Sequence, residues 1–282
     1  MFRRQLAIQY KSPEQIHQMR AAGLVVAEAL AAMRDAVSPG VSTTKLDDIA
    51  HEVIRSAGAV PSFKGYLGYP ATICASVNSQ VVHAIPSHAQ VLHEGDLISI
   101  DCGAILDGWH GDSAITVAVG ETPRSLLHLA SAAEDALWAG LAAAARGVRS
   151  GGGRLTDISR AVENSVRGSG RYGIVDGYGG HGIGTEMHQD PHVLNHGRPG
   201  RGPRLVPGLC LAIEPMITMG SPRTVELSDG WTVVTQDGSV AAHVEHTVAL
   251  LEDGVWVLTA EDGGQARLGA DLVSAVASRP GG

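Results

Sequence analysis

Regular hydrophobic patterning begins at Ser12-Pro13-Glu14, which reads as an N-cap, a proline in the first helical position and an acid in the first turn. The alanine-rich amphipathic stretch beyond it predicts a helix to about residue 37, stopped by Ser38-Pro39-Gly40. A second helix places Leu46, Ile49, Val53 and Ile54 on one face and ends near Gly58. Residues 61–86 are turn-rich with short strands. They lead into residues 97–117, LISIDCGAILDGWHGDSAITV, where two apolar, β-rich runs flank Asp107-Gly108. That dipeptide favours a two-residue hairpin turn. With those two residues as the loop, Leu106 pairs with Trp109 and Gly103 falls opposite Asp112.

The second half repeats this plan. An alanine-rich helix is predicted over about 125–146. After Gly151-Gly152-Gly153, LTDISRAVENSV echoes LDDIAHEVIRS at a constant offset of 109, so that Leu46 maps to Leu155, Asp48 to Asp157, Ile49 to Ile158 and Val53 to Val162. A glycine-rich stretch with histidines follows, and then strands. Two copies of helix–helix–sheet predict an α+β fold with a pseudo-two-fold repeat. It is read as a single domain over residues 12–260, with tails at 1–11 and 261–282, the latter holding one short helix and a floppy end.

Composition narrows the class. At 282 residues, 44% hydrophobic and 18% charged, the chain has the makeup of a soluble globular domain. A net charge of −8 without a basic stripe argues against nucleic-acid binding. Cys74, Cys102 and Cys210 are odd in number and far apart, which supports neither a disulfide framework nor a zinc finger. The basic N-terminus lacks the apolar run of a signal peptide, and no stretch is apolar enough to span a membrane. A cytoplasmic location is the expectation.

Candidate chemistry lies in the hairpin. Side chains alternate faces along a strand, so Asp101 shares a face with Gly103, and Asp101 and Asp112 become diagonal neighbours roughly 7–8 Å apart at the backbone. Two buried carboxylates without partners are costly, so a cation should lie between them. Glu214 in CLAIEPMIT and Glu245 in AAHVEHTVALL repeat the anomaly, each a lone acid in a strand-like apolar run. His181 and His188 stand in GYGGHGIGTEMHQDPHV. Its GxGxxG match is not a dinucleotide site, because no amphipathic helix can follow it. Two Asp, two Glu and one His form a mostly hard oxygen set suited to Mn²⁺, Fe²⁺, Co²⁺ or Zn²⁺, and to two carboxylate-bridged ions that could hold a hydroxide and polarise a carbonyl.

His83 (VVHAIP), Asp101 (SIDCG), Asp112 (WHGDS), His181 (GGHGIG), His188 (MHQDP), Glu214 (IEPM) and Glu245 (VEHT), in this order, resemble the methionine aminopeptidases of peptidase family M24. The likeness covers about residues 12–255. It implies the family's pita-bread fold around a dinuclear metal site, with two divalent ions (Co²⁺, Mn²⁺, Fe²⁺, Zn²⁺ or Ni²⁺). In the family's manner Asp112 and Glu245 would bridge both ions, Asp101 would bind one, and His181 and Glu214 the other. Glu214 would also act as general base, while His83 and His188 would contact the scissile amide, His188 stabilising the developing oxyanion. Phe63, Tyr66, Tyr69, Cys74, Met187 and Trp231 would line an apolar cup for the methionine side chain. The implied activity is hydrolytic removal of N-terminal methionine from nascent chains when the next residue is small (Gly, Ala, Ser, Thr, Pro, Val, Cys). The implied enzyme is a monomer that meets the ribosome transiently.

Two positions depart from the family pattern. Ala84 replaces the usual glycine beside His83, where its methyl is expected to crowd the loop, and Met187 stands where many members carry an aromatic. The five-ligand pattern also occurs in Xaa-Pro aminopeptidases and prolidases, which carry a large preceding domain, whereas about a dozen residues precede the first helix here. A non-catalytic relative would have lost ligands, and all five are present. Only 30 residues separate Glu214 from Glu245, which leaves no room for the type II helical insertion. The likeness is to the short, bacterial-style type I enzymes.

Overall fold

The computed structural model describes residues 8–278. In chain order, helices α1 (Pro13–Ala36) and α2 (Thr43–Ser56) precede strands β1 (Val60–Pro61), β2 (Ile73–Val77), β3 (Gln80–Val82), β4 (Leu97–Leu106) and β5 (Trp109–Ala118). Then come α3 (Arg124–Ser150), α4 (Leu155–Ser169), β6 (Gly173–Ile174), β7 (Gly180–Gly182), β8 (Gln189–Val193) and β9 (Cys210–Ile213). The remainder comprises β10 (Met216–Thr218), β11 (Thr224–Glu226), β12 (Val233–Thr235), β13 (Ala241–His243), β14 (Glu245–Leu251), β15 (Gly254–Val257) and α5 (Gln265–Leu268). The first helix starts where the pattern placed it. Ser12 Oγ accepts from the Gln15 N–H at 3.4 Å and Gln15 Oε1 accepts from the Ser12 N–H at 2.9 Å, a reciprocal capping box.

One large sheet runs β1-β4-β5-β14-β9-β7-β8, with β2 also on β4 and β15 on β14. Two cores flank it. In one, α1 and α2 pack Val26, Met33, Leu46 and Ile54 against Ile73, Ile98 and Ile100. In the other, α3 and α4 pack Leu137, Leu141, Ile158 and Val162 against Leu211, Ile213 and Val248. This is the pseudo-two-fold α+β plan read from the repeat. The equivalence is approximate: Leu46 and Leu155 are both buried, but Ile49 and Val53 are half-exposed where Ile158 and Val162 are buried.

Helix α1 lies directly on β5 at a glycine. A Cβ on Gly111 would stand 2.7 Å from the Gly23 nitrogen and 2.9 Å from the Ala22 carbonyl carbon, backbone atoms that cannot swing aside. Gly111→Ala should therefore cost about 1–3 kcal/mol of stability, the range for overpacking a filled core, read as a lower urea midpoint. An unchanged midpoint would show that the helix can lift without penalty.

Both segments read as tails are held down where they are described. Lys11 N–H donates to the Gly208 carbonyl at 2.8 Å, and Lys11 Nζ donates to Gln9 O at 2.9 Å and Gln189 Oε1 at 3.2 Å. Past Ala260 the segment expected to be floppy is tied back to the sheet over its described residues. Val255 N–H donates to Leu272 O, Ser274 N–H donates to Val255 O, and Val273 and Ser274 are buried. The Arg20 guanidinium, stacked 5.6 Å over the Trp256 ring, donates to the carbonyls of Val257, Leu258, Ala260 and Glu261 and fastens this turn to α1.

Candidate metal centre

The site forms because the period-two alternation of five neighbouring strands aims acids and a histidine at one spot. In the β4–β5 hairpin Leu106 pairs with Trp109, Gly103 with Asp112 and Asp101 with Ala114, the register that the Asp107-Gly108 turn dictates. Both turn residues have positive φ, 50° and 82°, as such a turn requires. On the far side of β5, Ala114 pairs with Glu245 of β14. Directly opposed residues share a face, so Asp101, Ala114 and Glu245 form one row and Asp112 stands beside it. A second row runs from Thr247 through Ala212 to His181. Glu214 lies two residues beyond Ala212, on the same side. Alanines at the centre of both rows leave room between the carboxylates.

One local expectation changes. Glu214 is not inside a strand: it occupies the break between β9 and β10, which belong to different sheets. Pro215 has no N–H to offer a ladder there, and the freed Glu214 carbonyl accepts from Asn195 Nδ2 at 2.9 Å. His181 stands in the short strand β7. A Cβ on Gly180 would strike the Ala212 carbonyl and one on Gly182 the Asp190 carbonyl, so these glycines serve the close approach of β7 to its neighbours. As the sequence required, no helix follows the GxGxxG match; β8 does.

Asp112 and Glu245 are buried, at 4% and 3% exposed, while Asp101 and Glu214 open partly onto a cavity. Asp101 Oδ1, Asp112 Oδ1 and Glu245 Oε1 are buried without a hydrogen-bond partner. Among the described residues, no Lys or Arg lines the cavity. Burial, followed by the neighbouring acids, pushes the Asp112 and Glu245 carboxyls well above the usual range. Burial also raises Asp101 to about 7 and Glu214 to about 8. Burial lowers His181 to about 3, so the imidazole supplies no positive charge. Ligand atoms of Asp112, His181 and Glu245 lie within 4.8 Å of one another, and His181 Nε2 is 3.6 Å from Glu214 Oε1. Orphaned hard oxygens around a neutral imidazole fit a divalent cation, which would supply the missing charge.

The cavity, about 310 Å³, is lined by all five of these residues together with His83, His188, Phe63, Tyr66, Tyr69, Cys74, Met187 and Trp231. Every site residue singled out in the sequence is therefore brought to one place. Phe63, Tyr69, Cys74 and Met187 form a buried apolar cluster, with Tyr66 and Trp231 packed against it. Tyr69 and Trp231 meet edge to face at 5.0 Å. His188 Nδ1 hydrogen-bonds the Tyr66 hydroxyl at 2.9 Å, leaving its other ring nitrogen free. Left-handed backbone falls on His83, at φ 60°, and Ala84 beside it is buried with its carbonyl accepting from Ala75 and Tyr69. Leu67, Tyr178, His192 and Met216 also line the cavity and were not foreseen. Nor was His243, buried beside Glu214 and Glu245. Its one signal is its place two residues before Glu245, which becomes informative only once the acids facing it are known.

Comparison with known proteins agrees with this geometry. Residues 17–252 match metallopeptidase family M24. Methionine aminopeptidase 1 of Mycobacterium tuberculosis is 56% identical over 254 residues, 88% of this chain and 94% of that protein. The crystal structure of methionine aminopeptidase from Rickettsia prowazekii superposes with a TM-score of 0.86 at 38% identity, over 90% of this chain and all (100%) of that one. The Xaa-Pro dipeptidase of Bacillus anthracis, at 22% identity and a TM-score of 0.69 over 62% of its length, shares the fold alone. With the pita-bread architecture and close relatives of one kind over nearly its whole length, the chain belongs to metallopeptidase family M24 and, within it, to the methionine aminopeptidases.

Proposed function

We propose that the chain hydrolyses the N-terminal methionine from peptides and nascent proteins whose next residue is small (Gly, Ala, Ser, Thr, Pro, Val or Cys), using two divalent ions. The observation that carries this reading is the juxtaposition of orphaned carboxylates with an apolar, aromatic-walled cup in one cavity. Asp101, Asp112, His181, Glu214 and Glu245 would hold the ions. Bound there, such ions polarise a carbonyl and lower the pKa of the attacking water; Co²⁺, Mn²⁺, Fe²⁺, Zn²⁺ and Ni²⁺ all suit the donors.

The remaining steps belong to the protein. Phe63, Tyr66, Tyr69, Cys74, Met187 and Trp231 take up the methionine side chain, and Met187 gives that wall a pliable thioether. Glu214 accepts the proton of the attacking water at a carboxylate oxygen. His188, oriented through Nδ1 by the Tyr66 hydroxyl, directs its other nitrogen at the carbonyl oxygen as charge develops there. His83, which meets Tyr178 edge-on at 5.9 Å, would contact the scissile amide. The substrates would be nascent chains met transiently at the ribosome, and the enzyme would work as a cytoplasmic monomer. No helix among the described residues is long and apolar enough to cross a membrane.

The test is methionine release from Met-Ala-Ser after EDTA stripping and readdition of Mn²⁺ or Co²⁺, with Ala-Pro-Ser in parallel. Metal-dependent release of methionine, with the proline peptide intact, is the expected result. Cleavage of the proline peptide alone would assign the chain to the Xaa-Pro enzymes. Cleavage of neither, with metal still bound, would indicate a binding role.

A further inference from the structure

We propose that His243 is a positioning residue of the metal centre, holding the Glu214 carboxylate through an Nε2–H···Oε2 hydrogen bond when the ions are bound. This rests on the metallo-hydrolase reading and adds a residue to it. His243 is 2% exposed, and its Nε2 is buried without a partner. That nitrogen lies 3.7 Å from Glu214 Oε2 and 4.0 Å from Glu245 Oε2. A buried ring nitrogen aimed at two carboxylates and bonded to nothing needs an explanation.

The backbone shows that the ring is aimed and not accidental. Ser99 Oγ and Thr116 Oγ1, 2.9 Å apart, each accept from the His243 N–H at 3.1 Å, and Thr116 Oγ1 donates to the His243 carbonyl at 2.7 Å. The backbone that carries the imidazole is thus held by a hydroxyl pair bridging β4 and β5, the strands that carry Asp101 and Asp112. Glu214 stands between two imidazoles, with Oε1 toward His181 and Oε2 toward His243. His181 pairs in register within the ligand-bearing rows, whereas His243 enters from β13, in the smaller sheet β13-β10-β6. Glu214 has no ladder partner to fix it. A donor on its outer oxygen therefore sets the rotation of the carboxylate, leaving the inner oxygen for metal and proton. Outer-shell donors of this kind orient ligands without contacting the ion.

The test compares His243→Leu, which keeps bulk and removes the donor, with His243→Gln, which retains an N–H donor. Each full-length protein is stripped and titrated with Mn²⁺ by calorimetry, and kcat and KM for Met-Ala-Ser are measured. His243→Leu should bind Mn²⁺ more weakly and lose about 10–100-fold in kcat with KM little changed, and His243→Gln should recover most of both. A third readout uses wild-type protein alone: ¹⁵N-histidine NMR with Zn²⁺ should show His243 Nε2 carrying a proton. Mn²⁺ affinity and kcat unchanged in His243→Leu would overturn the proposal, as would an unprotonated, metal-bound Nε2. Failure of the wild type to bind Mn²⁺ at all would instead overturn the reading of the whole site.

Discussion

Replacing Asp112 by asparagine should abolish turnover and metal retention together, yet leave the stripped protein at least as stable as the wild type. Asp112 is the most enclosed of the acids on the hairpin, with Oδ1 unpartnered and its carboxyl forced upward by burial and by Asp101 and Glu214. An amide of the same shape removes a group that the metal-free protein ionises only at high cost. It also removes the negative charge that Asp112 would bring to the ions under the proposed function, so the loss of activity should exceed the roughly 100-fold that outer-shell changes bring. Glu245→Gln, buried in the row beside Ala114, should behave alike. The measurements are bound metal after gel filtration, methionine release, and thermal unfolding with and without Mn²⁺. Full activity in either variant would remove that residue from the ligand set.

Metal binding should strengthen steeply between about pH 6 and pH 8, with protons released. In the metal-free protein, burial raises Asp101 to about 7 and Glu214 to about 8, and burial with the neighbouring acids also pushes Asp112 and Glu245 well above the usual carboxylate range. Unfolded carboxyls titrate near roughly 4. Between those limits the folded chain binds more protons than the unfolded chain, so the stability of the stripped protein falls as pH rises. A divalent ion reverses that slope, because it binds the ionised carboxylates of the folded state only and stabilises by mass action. Thermal unfolding across pH 5–8, with and without Mn²⁺, should therefore show two curves that diverge upward in pH. Calorimetry in buffers of different ionisation enthalpy should count the protons released. Parallel curves with no proton release would mean that the acids are already ionised and compensated without metal.

The parts of the fold legible in the sequence were those governed by local chemistry. The Asp107-Gly108 turn alone set the register that places Asp101 diagonal to Asp112. The capping box at Ser12 and the repeat of Leu46 at Leu155 likewise depend on near neighbours or on spacing. What escaped depends on contacts distant in sequence. The pairing of Glu245 with Ala114 joins strands 131 residues apart in the chain, and no periodicity announces it. The strand character of residues 180–182 was masked by glycines, whose role is to let backbones approach where a side chain would collide. His243 was passed over because a single histidine in an apolar run says little until the acids facing it are known. The ligand roles came from the family resemblance, since spacing alone could not apportion five donors between two ions.

Strand β14 lies between β5 and β9, yet it is nearly the last part of the sheet to be made. Until residues 245–251 leave the ribosome, β5 on one side and β9 on the other present bare edges, and the final carboxylate of the centre does not exist. Such edges are templates for association with other chains. The protein's own birth thus passes through a stage that is sticky and inert. That stage ends when one seven-residue strand closes the sheet like a keystone.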